Sequence, residues 1–434
     1  MRTSPRSRPA AALTATALTA ALLAASLAVA PAHAQKAPKP APKPVQEDTR
    51  VYVPDIVEDT APVQAEQLAE WPRWTPANAG NLLAQIEAAG ADGLFARDYD
   101  PTGLAAAIAS GEGDALNKRA TETFLLLATH RRDGRTPNAA RKQWFVVDSD
   151  ASVDLFALLD SALASGDIDG ALASLDPVHA NFAALKAALA ATKPADKARA
   201  DTLRVNMERW RWMPRDLGQR HILTNVPEYM TRVVNEGVVI ATHKAVVGKP
   251  ATATPQLDAK ATAIILNPTW TLPRSIIDEG IGATIATNPQ RARAQGYTWT
   301  GKGKTLSVVQ SAGPGNALGV MKLEMLNPHA IYLHDTPSKG AFGSEARAFS
   351  HGCIRTERAL HFSGLMAVIY AGRSPEEFGA AIASGKTTRM EFAEPFPVFI
   401  GYWTAAPKAD GQLAMMADIY GRDAPVVAAF AQPG

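Results

Sequence analysis

The sequence predicts an α+β protein in which an N-terminal helical domain precedes a β-rich domain carrying inserted helices. Three observations predict it. Residues from about 77 to 200 are rich in Ala and Leu at helical spacing, whereas after about residue 201 short β-branched and aromatic runs alternate with turn residues. A length of 434 residues allows two or three domains of about 150 residues, each able to bury a core. The composition, 47% hydrophobic and 20% charged with 44 Lys and Arg against 42 Asp and Glu, excludes a disordered chain, a collagen and a disulfide scaffold. A formal charge of +2 offers no electrostatic argument for nucleic acid.

Residues 1–34 predict a secretory signal peptide, with an uncleaved membrane anchor as the alternative. Arg2, Arg6 and Arg8 precede an apolar run from about Pro9 to Ala30, and Ala32-His33-Ala34 fits a cleavage site before Gln35. No later run approaches the ~18 to 20 apolar residues that cross a bilayer, so no transmembrane segment is expected after cleavage. Residues 35–50 alternate Pro with Lys and Ala and predict an extended Pro/Lys-rich linker.

Residues 51–200 are expected to form the helical domain. Leu82, Leu83, Ile86 and Ala89 mark one apolar stripe and Phe124, Leu127 and Ala128 another, with breaks at Gly90, Gly93, Gly111, Gly113, Gly134 and Gly166. Asp98, Tyr99 and Asp100 read as turn residues. Residues 201–434 form the β-rich domain, with strands expected at His221 to Val226, Tyr229 to Val234, Val238 to Val247, Thr262 to Leu266, Leu306 to Gln310, Ala330 to Leu333 and Pro397 to Thr404. Trp210 and Trp212 sit at alternating strand spacing. One helix is expected through Ile276 to Ala294, with Ile277, Ile281 and Ile285 on a shared face. Another is expected after Cys353, with Thr356 as N-cap and Ala359, Phe362, Met366 and Ile369 on its buried side.

Export makes the single cysteine informative. Cys353 has no partner for a disulfide in this chain, and an exported thiol is exposed to oxidation. Its neighbourhood is Ser350-His351-Gly352-Cys353-Ile354-Arg355, 19 residues after the histidine of Tyr332-Leu333-His334-Asp335. A free thiol of pKa about 8.5 is mostly protonated at neutral pH and needs a base or a positive charge beside it to act as a nucleophile. His334, at the rim of an apolar strand, or His351 could serve. Gly352 permits close backbone approach, and amides near Gly352 and Cys353 can face a developing oxyanion. A zinc site built from His334, His351 and Cys353 is a further alternative, but neither CxxC nor HExxH spacing occurs. No cofactor or metal is expected. Ser384-Gly385-Lys386-Thr387 lacks the first Gly of a phosphate loop, and Gly385 reads as a helix end.

The stretch from His334 to Arg355, centred on Ser350-His351-Gly352-Cys353, resembles the signature of the YkuD-type L,D-transpeptidases. The likeness to the YcbB-like branch extends to Val205 through Pro214, Val247-Gly248-Lys249-Pro250, Asn267-Pro268-Thr269-Trp270, Tyr402-Trp403-Thr404 and Asp418 through Asp423, and more weakly to the helical region as that branch's scaffold domain. The resemblance implies that Cys353 is the acyl-accepting nucleophile and His334 its base, with the Asp335 carbonyl orienting the imidazole and Ser350, His351 and Gly352 in supporting positions. The branch often has Ser in place of His351, and it often inserts a small peptidoglycan-binding module for which Lys186 to Leu203 leaves no room. It implies an exported, periplasmic enzyme acting on peptidoglycan stem peptides to form 3→3 cross-links. L,D-carboxypeptidase or D-amino acid exchange chemistry, or a non-catalytic wall-binding scaffold, are the alternatives. Arg355 and Arg347 are candidates to pair with stem carboxylates, because guanidinium binds carboxylate bidentately. The sequence does not determine the oligomeric state.

Overall fold

The computed structural model describes residues 70–147, 153–408 and 411–432; the expected signal peptide and the expected linker lie outside the described residues. Among the described residues the N-terminal part holds the α-helices α1 (Pro76–Ala88), α2 (Pro101–Ala109), α3 (Asp114–Asp133), α4 (Leu155–Ser165), α5 (Ile168–Ala173), α6 (Ala180–Ala190) and α7 (Lys197–Arg211). Side-chain caps fix several starts: Thr75 accepts from the Asn78 amide, Asp154 from Phe156 and Ala157, and Asp196 from Arg199. Leu82, Ile86, Phe124, Leu127, Leu159 and Leu172 interlock in one core, so the stripes at Leu82 and Phe124 form as expected.

The segment read as turns at Asp98 to Asp100 holds more than turns. Asp100 does cap α2, but Asp98 is a fully buried carboxylate paired with Arg135 at 2.8 Å, and Tyr99 hydrogen-bonds His130 at 3.0 Å.

Helix α7 crosses the expected domain boundary at residue 200 and lies against both halves. From it, Glu208 accepts from the Thr136 amide (2.6 Å), the Arg211 guanidinium donates to the Asp92 carbonyl (2.7 Å), Asn206 pairs with Thr404, and Arg209 meets Asp423 at 2.6 Å. Trp210 and Trp212 therefore belong to a helix and its C-cap, not to a strand. Trp210 is stacked between His179 and Trp403, with centroids 4.1 and 4.4 Å away.

The β-rich part contains β1 (Trp144–Phe145), β2 (His221–Asn225), β3 (Met230–Asn235), β4 (Val238–Gly248), β5 (Gln256–Leu266), β6 (Trp270–Thr271), β7 (Tyr297–Thr300), β8 (Ser307–Gln310), β9 (Met321–Leu326), β10 (Leu333–His334), β11 (Ala348–Ser350), β12 (Ile354–Thr356), β13 (Thr388–Gly401), β14 (Ala405–Pro407) and β15 (Leu413–Met415). The order β5-β13-β2-β3-β4-β12-β10-β9 returns to β5, which closes the large sheet on itself. Leu323, Leu333 and Ile354 of β9, β10 and β12 point into a core shared with Phe362 and Met366. Alternation along those strands then turns Lys322, His334 and Arg355 to the opposite face.

Between β5 and β9 a small lobe is inserted: β6, β7 and β8 form a three-stranded sheet beside α8 (Arg274–Ile276), a π-helical turn (Ile277–Ile281), α9 (Gly282–Thr287) and α10 (Pro289–Ala294). The single helix expected over Ile276 to Ala294 is thus broken. The π-turn interrupts it first, and Asn288-Pro289 restarts it because proline has no amide hydrogen for the preceding turn. Ile277 and Ile285 are buried as expected.

After Cys353 the chain continues as strand β12, so Thr356 is a strand residue and not an N-cap. Helix α11 (Ala359–Leu365) begins only after Arg358, at φ 51°. A π-turn over Met366–Tyr370 follows and shifts the helical phase by one residue, burying Tyr370 and exposing Ile369. The remaining helices are α12 (Pro375–Ala383), which Gly385 follows at φ 64°, and α13 (Asp423–Phe430).

Candidate active site

The loop carrying the cysteine is built by hydrogen bonds of its own motif. The Ser350 hydroxyl donates to the Cys353 carbonyl (2.5 Å) and accepts from the Gly352 amide (3.1 Å), closing a tight turn. Gly352 has φ 118°, and a Cβ there would stand 3.1 Å from Ile331 Cδ1, so only glycine fits without strain. Thr254 bridges the turn to β4, donating to the Gly352 carbonyl (2.7 Å) and accepting from the Gly248 amide (2.9 Å). Because the Gly352 amide is taken by Ser350, of the two amides anticipated for an oxyanion only that of Cys353 remains to face one.

Cys353 is half-buried, and its thiol points at the Ala330 carbonyl 3.6 Å away and hydrogen-bonds Tyr332. Burial pushes the thiol above its ordinary value, while the Tyr332 hydrogen bonds and the charges of Lys322 and Arg355 pull the other way. Tyr332 was not singled out as a site residue, yet its place two positions before His334 puts it on the same strand face. Its ring stands edge-on to the His334 imidazole with centroids 5.6 Å apart, and its hydroxyl accepts from the Trp270 indole at 3.1 Å.

His334 is buried. Its Nδ1 lies 2.5 Å from the Asp335 carbonyl, and a carbonyl can only accept, so Nδ1 carries the proton and Nε2 keeps its lone pair. Burial, then the Arg355 charge, pushes this imidazole down to about 3 against the raising effect of the Asp335 bond; Lys322 lowers it further. The histidine is therefore neutral across the physiological range. The Asp335 side chain faces away from that role, accepting from the Val320 amide (3.0 Å) and pairing with Lys339.

The remaining expected residues separate. His351 is exposed and pairs through Nε2 with Glu279 of the inserted lobe at 2.8 Å. Arg355 is half-buried, stands opposite His334 across β10 and β12, and leaves its Nε buried without an acceptor. Arg347 is buried against the Tyr229 ring, with Nε donating to the Ala245 carbonyl (3.2 Å) and its two other nitrogens to the Ser344 (2.9 Å) and Tyr229 (3.2 Å) carbonyls, so each of its nitrogens is engaged inside the protein. Among the described residues, no group of three or more His, Cys, Asp or Glu could hold a metal ion.

Cys353 and His334 thus sit on neighbouring segments of the closed sheet, just before β12 and on β10. The comparisons with known proteins are more particular. Residues 219–369 match the model of the YkuD L,D-transpeptidase catalytic domain, and residues 67–189 match that of the Scaffold domain, the pairing of the YcbB-like architecture. A Haemophilus influenzae protein provisionally named an L,D-transpeptidase is 30% identical over 237 residues, 51% of this chain and 48% of the relative; the chain spans about half the length of that curated relative. Solved structures include an L,D-transpeptidase from Mycobacterium smegmatis (16% identity, 42% of this chain, 58% of that one, TM-score 0.21). Another, from Enterococcus faecium, gives 12% identity, 44% and 52% coverage and a TM-score of 0.22.

Proposed function

We propose that this chain is an exported, periplasmic L,D-transpeptidase that forms 3→3 cross-links in peptidoglycan through a thioester on Cys353. What supports the reading is that Cys353 immediately precedes β12, the strand that pairs with the His334 strand, and that the imidazole is held neutral with its Nε2 lone pair free of the Asp335 bond.

Each residue then has a step. The thiol gives its proton to His334, and sulfur attacks the carbonyl between the third and fourth residues of a tetrapeptide stem. The Cys353 amide faces the oxyanion. The imidazolium returns the proton to the departing amine, D-Ala leaves, and a thioester remains. His334 next takes a proton from the side-chain amine of a second stem as that amine attacks the thioester, and the thiol is regenerated. Exchange of one amide for another needs no nucleotide, which suits a compartment without ATP. Ser350 and Gly352 shape the turn, and Arg355 supplies a free guanidinium for a stem carboxylate.

Incubation with a carbapenem followed by intact-mass measurement tests the nucleophile. A covalent adduct is expected on the wild-type chain and none on Cys353→Ser; folded protein without an adduct would remove the enzyme reading. Muropeptide analysis of tetrapeptide stems treated with the protein then separates the outcomes. Cross-linked dimers are expected, and tripeptides alone would place water as the acceptor.

A further inference from the structure

One cation on the active face has no role in the mechanism above. Lys322 on β9 pairs directly with His334 on β10, which pairs directly with Arg355 on β12. Paired positions on neighbouring strands share a face, so the imidazole stands in a row between an ammonium and a guanidinium. The Lys322 ammonium also lies 4.6 Å from the centre of the Tyr332 ring, whose hydroxyl meets the Cys353 thiol.

Among the described residues, neither cation forms an ion pair with a carboxylate. The Nε of Arg355 is buried without an acceptor. Carboxylates of the surrounding segments are engaged elsewhere: Glu324, two places along β9, is held by Arg389 (2.6 Å) and Thr262 (2.8 Å), Asp335 by Lys339 and the Val320 amide, and Glu279 by His351. Half-buried cations that find no counter-charge cost desolvation without return. A bound anion supplies that return.

We propose that Lys322, acting with Arg355, recognises the free C-terminal carboxylate of the donor peptide, so that the site reads the residue after the scissile bond. This deepens the function proposed above and rests on it. The carboxylate of the departing residue lies one residue of chain, about 3.8 Å, beyond the scissile carbonyl, and strands spaced about 4.8 Å apart bring both long side chains to the flanks of His334. A longer peptide or a C-terminal carboxamide presents a neutral group at that point and leaves the cations uncompensated. The clamp therefore selects donors that end one residue after the bond to be broken.

Calorimetric titration of the full-length Cys353→Ala chain with a tetrapeptide donor, as free acid and as C-terminal carboxamide, tests it. The free acid is expected to bind about tenfold or more tightly, the scale of one charge-assisted hydrogen bond. Lys322→Gln in that background is expected to remove most of this preference by weakening the acid alone, and Lys322→Arg to retain it. Equal weakening of both peptides would mark Lys322 as merely structural and overturn the proposal. So would the absence of any acid preference in the parent, a result that needs no second variant to fold; Lys322→Met is the alternative should the Gln form not fold. A wild-type chain that takes no carbapenem adduct would instead remove the transpeptidase reading, while the acid preference is measured independently of turnover.

Discussion

The Trp270 indole donates to the Tyr332 hydroxyl across 3.1 Å, and that same hydroxyl meets the Cys353 thiol. The inserted lobe is thereby joined to the sulfur through one side chain, and a second link from His351 to Glu279 joins it to the loop just before the cysteine.

The Tyr332 bond lowers the thiol's pKa against the raising effect of burial. Tyr332→Phe is expected to raise it and to slow iodoacetamide alkylation of Cys353 roughly tenfold at fixed pH, since a hydrogen bond to a charged group is worth about 1.5 kcal/mol or more. The pH–rate profile should move to higher pH. An unchanged profile would show that the hydroxyl does not tune the sulfur.

Arg347 serves three backbone carbonyls and packs on Tyr229, so its removal should act on stability. Arg347→Met is expected to cost roughly 3 kcal/mol in denaturant unfolding, because buried acceptors lose their donor. The donor KM of the remaining folded enzyme should change little. A KM rise with unchanged stability would restore Arg347 as a substrate contact.

Acid should destabilise the fold before most carboxylates titrate. Burial lowers His130 and His334 to about 3, and His179 and His243 to about 4. Unfolded histidines bind protons near pH 6.5, so between that value and about 3 to 4 the unfolded chain holds more protons than the folded one. The stability is complete above about pH 6.5 and is lost as the pH falls. Asp176 and Asp258, raised by burial, oppose this toward the acid end. The melting temperature should fall steadily from pH 7 to 4.5, and His130→Gln should flatten the slope. A level profile would contradict the neutral burial of these rings.

Local patterns in the chain were legible where one face of an element is buried and the other is not. The hairpin strands β2, β3 and β4 fall close to their expected ranges because their turns and β-branched runs are local signals. Helix α7 was misread at its end because it is buried between two layers, with Glu208, Arg209 and Arg211 inside along with the tryptophans, so polarity carries no face. The π-turn after α11 defeated the expected buried position at Ile369, since a five-residue step cannot be told from sequence spacing tuned to 3.6.

The sequence by itself determined the two-part order of helices and strands and the Ser350 to Arg355 motif with His334 before it, because spacing and residue type are properties of the chain. Only the tertiary structure decided that Tyr332 reaches the thiol, that Lys322 stands across from His334, and that Arg347 is spent on carbonyls. These depend on which strands become neighbours when the sheet closes, and that register is set by packing of the whole core over long separations in sequence.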